Sequence, residues 1–228
     1  MIGTVFTKTY SALPYNESEI FRYAGVKTQD EETVELFKQC LAEADGKASL
    51  RVCYATFPVC LTEDGVDVGF TVVQSKNLRN LLKNAEKVVV FAATAGIEMD
   101  RLIARYNHAS AGKAIVFQAI GAERVETLCD AFEKDLKTQM EGAGMRLTPR
   151  FSPGYGDLPL ELQQEVFRVL EPQKRIGVTL SSSLLMAPSK SVTAFIGLEK
   201  EGCSASKNKT GCQACRKEDC TYRDLKNV

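Results

Sequence analysis

The chain has 228 residues, 44% of them hydrophobic, and 29 basic side chains balance 29 acidic ones. This is globular composition, and a formal charge of zero excludes recruitment to nucleic acid or an anionic membrane by net charge alone. The opening segment "MIGTVFTKTYSALPYNES" has no basic region followed by a long apolar core, so it does not read as an export signal. The longest apolar run, "VVVFAATAGI" over residues 88–97, is about half the length that crosses a bilayer and reads as a buried strand. A soluble, cytoplasmic protein with neither nucleic-acid nor membrane partners is expected.

In chain order, Asn16 is placed to cap a short helix carrying Ile20, Phe21 and Tyr23, with Gly25 at its end. "DEETVELFKQCLAEADG" predicts a helix capped by Asp30, with acids in its first turn and Val34, Phe37, Cys40 and Leu41 on one face. "SLRVCYATFPVCL" is β-branched and aromatic and predicts a strand whose later part Pro58 pushes to an edge or bulge. "SKNLRNLLKNAEK" reads as helix, "KVVVFAATAG" as a central strand and "IEMDRLIARY" as helix. The longest periodic run covers residues 111–140, where Phe117, Gly121, Val125, Leu128, Phe132, Leu136 and Met140 form one stripe before Gly142 and Gly144 break it. Next come the loop "RFSPGYGD", a helix "LPLELQQEVFRVLE" that Asp157 is placed to cap, and two strands, "RIGVTL" and "SVTAFIGL". Helices and strands interleave without a regular βαβ count. The expectation is one α+β domain over residues 1–198, with a mainly antiparallel twisted sheet packed by helices, and a cysteine-rich tail over 199–228.

The octapeptide concentrates chemistry. Gly154 and Gly156 permit positive φ and close backbone approach, while Pro153 stiffens the loop and extends Ser152. Arg150 offers a planar donor fork suited to a carboxylate, and Tyr155 a ring and a hydroxyl. Residue types alone are equally those of a tight turn. The longer stretch decides between them. Arg150, Gly154 and Tyr155 form Arg-x-x-x-Gly-Tyr; a helix, "IGVTLSSSLLM" and Pro188, Ser191 and Val192 follow. Across about fifty residues this order and spacing resembles the activation domain of cobalamin-dependent methionine synthase, and "AIGAERVETLCDAFEKDL" is similar to the helix that precedes the motif in that family.

The resemblance implies a domain that binds S-adenosylmethionine and supports reductive methylation of cob(II)alamin on a partner corrinoid methyltransferase, methionine synthase foremost. It implies that Arg150 holds the methionine carboxylate, that Ser152 and Gly154 give backbone contacts, that Tyr155 lines the pocket and that Glu126 is an acidic contact. Cobalamin would reside on the partner only. The sequence departs from the family at three places. Gly144 stands where an acidic residue precedes the arginine, Ser204 stands near the place of an aromatic contact, and Gly156-Asp157 replaces Pro-Ala. A sulfonium carries fixed positive charge, so its site needs carboxylates or dipoles, and catalysis reduces to positioning without a nucleophile or general base on this chain.

Cys40, Cys53, Cys60 and Cys129 lie singly in apolar or periodic segments, as small hydrophobes do. Cys203, Cys212, Cys215 and Cys220 instead form C-x8-C-x2-C-x4-C, a set that suits an iron–sulfur cluster of the 4Fe–4S type or zinc. A cluster would relay an electron, with flavodoxin or ferredoxin as possible donors; zinc would staple a short terminus. The alternative to S-adenosylmethionine turnover is therefore an electron-transfer or zinc-stapled interaction subunit of a corrinoid methyltransferase system. The single histidine, His108, falls in a helix connection, and Ser181 to Ser183 have no His or Lys placed to activate them, which argues against a hydrolase.

Overall fold

A computed structural model describes residues 4–27 and 30–200. The chain opens with strand β1 (Phe6–Tyr10) and helices α1 (Glu17–Tyr23) and α2 (Glu31–Ala44). Strand β2 (Leu50–Pro58) leads through the short strands β3 (Cys60–Leu61), β4 (Val66–Asp67) and β5 (Val72–Val73) to α3 (Lys76–Leu82) and β6 (Ala85–Thr94). Helices α4 (Ile97–Asn107) and α5 (Ala111–Glu141) follow, then β7 (Met145–Leu147). Beyond the Arg150 loop come α6 (Leu162–Leu170), α7 (Pro172–Ile176), the hairpin strands β8 (Thr179–Leu180) and β9 (Met186–Ala187), and β10 (Ser191–Lys200).

Five strands make one antiparallel sheet in the order β1-β2-β6-β10-β7. Both of its faces are covered, which is why β6 is a continuous apolar run rather than an alternation. Val89, Phe91 and Ala93 join one core with Phe37 and Cys40 of α2, Leu102 of α4 and Phe117, Leu128 and Phe132 of α5. Val88, Val90 and Ala92 point the other way, to Leu78 of α3, Val166 and Leu170 of α6 and Ile176 of α7. The rings of Tyr54 and Phe91 each lie 5.0 Å from Phe132, so the long stripe of α5 is seated directly on the sheet. This is the α+β architecture expected, three layers thick.

Asn16 and Asp30 accept hydrogen bonds from the Glu19 and Thr33 amides, as N-caps do. Elsewhere tertiary structure overrides local pattern. Asp157 caps no helix that follows it, since α6 starts at Leu162; its carboxylate reaches back to the start of α3. "RIGVTL" is strand only at Thr179–Leu180, because Pro172 starts a helical turn that runs to Ile176. Helix α3 ends at Leu82, which gives Ala85 to β6. Cys60 is exposed on β3, unlike the buried Cys40, Cys53 and Cys129. No helix among the described residues is long and apolar enough to cross a membrane.

Candidate functional site

Helix α5 has a second, acidic face beside its apolar stripe. Glu123, Glu126, Asp130 and Glu133 recur at spacings of three and four, so they stack along one side of the helix. Opposite them stands Arg150, delivered by β7 and held in place because Phe151 bridges to Phe195 of β10 through two 2.9 Å backbone hydrogen bonds. Arg150 donates from Nη2 to Glu126 Oε2 at 2.7 Å, and from Nη1 to Asp130 Oδ1 at 2.7 Å and to Glu133 Oε1. Burial works against the charge on Arg150, but attraction to Glu133 and Glu126 more than offsets it and raises its pKa. Burial pushes the Glu133 carboxyl up, with Arg150 opposing.

The other wall comes from the N-terminal segment. Glu123 and Arg124 are both almost fully buried, at 1% and 2% exposure, and bond to each other. Glu123 Oε1 also accepts from the Asn16 amide at 2.9 Å and from the Thr127 hydroxyl at 2.6 Å. Arg124 donates to the carbonyls of Leu13 and Pro14, both at 2.7 Å, and its guanidinium lies 3.8 Å from the centre of the Tyr15 ring. This buried pair straps the residues before α1 to α5, and so places Glu19 and Tyr23 facing Glu126. Burial first, then the Glu126 carboxylate, pushes the Tyr23 hydroxyl up to about 12. Between the two walls lies a cavity of about 310 Å³ lined by Asn16, Glu19, Tyr23, Glu123, Glu126, Thr127, Asp130 and Arg150. That volume lies at the lower end of small-molecule sites.

The loop after Arg150 is a built turn. Gly154 has φ +89° and donates its N–H to the Leu158 carbonyl at 2.9 Å; Gly156 has φ +57°, where a Cβ would stand 2.3 Å from Asn77 Nδ2. Asp157 locks the far end, accepting from the Ser75 hydroxyl at 2.6 Å and the Lys76 and Asn77 amides at 2.7 and 3.2 Å. Those bonds hold its carboxyl below the usual range against the opposing effect of burial. Tyr155 is left 69% exposed.

Of the residues expected to form a ligand site, Glu126 and Arg150 are in direct contact and share the cavity. Ser152, Gly154 and Tyr155 follow in the loop and do not line that cavity. Asp130, Glu133, Glu123, Glu19 and Tyr23 were not anticipated. The signal for the first three was present in the three-and-four spacing of acids on α5, parallel to the apolar stripe. Cys203, Cys212, Cys215 and Cys220 lie outside the described residues. Among the described ones, burial raises the Cys40 thiol to about 11 and the Cys53 thiol to about 12, so both are inert core groups.

A curled antiparallel sheet with helices on both faces is the fold of a methionine synthase reactivation domain. The crystal structure of the MetH reactivation domain bound to AdoHcy superposes with a TM-score of 0.64 at 16% identity, covering 89% of this chain and 81% of that one. A family model, that of the vitamin B12 dependent methionine synthase activation domain, matches residues 78–206, and the chain belongs to that family. Methionine synthase of Mycobacterium tuberculosis is 35% identical over 105 residues, which is 44% of this chain and 8% of that protein. The chain thus corresponds to a small part of that curated relative.

Proposed function

We propose that this chain binds S-adenosylmethionine and supports the reductive methylation of cob(II)alamin on a partner corrinoid methyltransferase, methionine synthase foremost. The observation that carries the reading is one guanidinium on the wall of a cavity, paired with three carboxylates of which Glu126 and Asp130 share that wall. S-adenosylmethionine has one carboxylate and two positive centres, the ammonium and the sulfonium. Arg150 suits the first, and Glu126 with its neighbours suits the others. The solved relative with this fold holds AdoHcy, the same molecule without the transferable methyl group. The amino-acid end would occupy the cavity and the adenosine would extend along the Ser152–Gly154–Tyr155 loop.

Reduced cobalamin on the partner supplies the nucleophile, so this chain's residues bind and orient. Arg150 anchors the carboxylate, the acids fix the cationic end, and the exposed loop leaves the methyl group facing outward to the partner. The chain through the end of β10 at Lys200 forms the ligand-binding unit in this reading, two residues past the boundary expected at 198, and Cys203, Cys212, Cys215 and Cys220 beyond it would hold a 4Fe–4S cluster or zinc. If a cluster, it relays the electron that a flavodoxin or ferredoxin provides. Metal analysis of anaerobically purified protein separates iron from zinc.

Calorimetry with S-adenosylmethionine tests the central claim. Loss of a charge-assisted pair in Arg150→Ala weakens binding by about 1.5–3 kcal/mol. A full-length, folded chain that gives no binding refutes it. The activity is tested by mixing the chain with a corrinoid methyltransferase in its cob(II)alamin form, a reductant and S-adenosylmethionine, and following methylcobalamin by its absorbance.

A further inference from the structure

Arg150 presents a difficulty for the ligand it is expected to hold: its guanidinium already has carboxylates on both terminal nitrogens. Both N–H groups of Nη1 are taken, so a ligand carboxylate that seats on the Nη1–Nη2 edge through two parallel N–H bonds must displace an acid from it. The three acids are not equivalent. Glu133 is not part of the cavity wall, and its side chain is only 26% exposed, so its release would strand a half-buried charge. Glu126 alone holds Nη2, whereas Nη1 is shared between Asp130 and Glu133. The Asp130 side chain stands on the cavity side and is 70% exposed, so it returns to water at little cost.

We infer that Asp130 is a placeholder: it occupies the carboxylate position on Arg150 in the free chain, is displaced by the ligand's own carboxylate, and thereby sets the site's preference between carboxylate-bearing and decarboxylated ligands. This rests on the S-adenosylmethionine reading given above. Glu133 keeps Nη1 anchored while Asp130 swings out, so the arginine does not move during the exchange. The competition is a specificity device. A cation lacking the carboxylate leaves Asp130 in place and feels the full negative charge of the cluster; one bearing the carboxylate must first displace it.

The test compares S-adenosylmethionine with decarboxylated S-adenosylmethionine by calorimetry on the full-length chain and on Asp130→Asn and Asp130→Ala. The alanine variant matters because an asparagine carbonyl still accepts from Nη1. Removing an exposed competitor raises the affinity ratio of the carboxylate-bearing ligand to the decarboxylated one by about two- to fivefold. A ratio rather than a single affinity is read because losing one acidic charge weakens every cationic ligand, and any general effect on the fold cancels. An unchanged or lower ratio, with the wild-type chain still binding S-adenosylmethionine, overturns the placeholder role and leaves the ligand reading standing. A wild-type chain that binds neither molecule removes the ligand reading, and this inference with it.

Discussion

The buried pair Glu123–Arg124 offers the sharpest test of how the cavity is built. Replacing Arg124 with methionine keeps volume and the apolar stem but removes the guanidinium. Three things are then lost together: the two bonds to Glu123, the two bonds that satisfy the Leu13 and Pro14 carbonyls, and the contact with the Tyr15 ring. The Glu123 carboxylate remains, 1% exposed, with only the Asn16 amide and the Thr127 hydroxyl as donors. Breaking one side of such a pair costs about 3–5 kcal/mol, because the remaining charge is stranded in a low-dielectric site. For a domain of this size that is a fall in Tm of roughly 6–20 °C. Urea unfolding followed by circular dichroism measures it, and the double variant Glu123→Leu with Arg124→Met should recover a large part, since no charge is then left unpaired. A single variant that loses less than about 1 kcal/mol would show that the strap does not hold the N-terminal segment, and the account of the cavity wall would fail.

Two other perturbations have defined outcomes. Asp157→Ala removes three hydrogen bonds at the start of α3, where Ser75 remains as a cap for the Leu78 amide, and should cost about 1 kcal/mol in urea unfolding. Because the folded-state pKa of Asp157 is lowered, its contribution is present above the ordinary aspartate value near ~4 and lost as pH falls below it; the wild-type and variant unfolding midpoints should therefore converge in acid. Gly197→Ala places a Cβ 2.8 Å from Leu82 Cδ2 and 2.9 Å from Thr148 Cγ2 in the middle of β10, and overpacking there should cost about 1–3 kcal/mol by the same measurement.

The elements with the strongest periodicity were legible from the chain alone. Helices α2 and α5 announce themselves by spacing and caps, and β6 and β10 by long β-branched runs covered on both faces. Strand β1 is not legible: "FTKTY" has only Phe6 and Tyr10 as large apolar groups, and its pairing to β2 supplies the order that its composition lacks. Asp157 misleads because its partners lie about eighty residues earlier, at 75–77, beyond the reach of any local pattern. Arg150 and Glu126 were singled out by family resemblance rather than by spacing, and their contact with each other was not foreseen. The buried strap could not be read at all, since "AERVE" looks like an ordinary solvated helix face until Leu13, Pro14 and Asn16 are folded onto it.

The lock formed by Asp157 has a kinetic consequence. With both ends of the 150–157 turn fastened, one to β10 through Phe151 and the other to α3, the loop backbone that meets an incoming molecule is set in advance. Little chain entropy remains to be lost on contact, so docking there is a single encounter rather than a folding event. Stopped-flow traces should accordingly be monoexponential, with an observed rate that climbs linearly as ligand concentration increases.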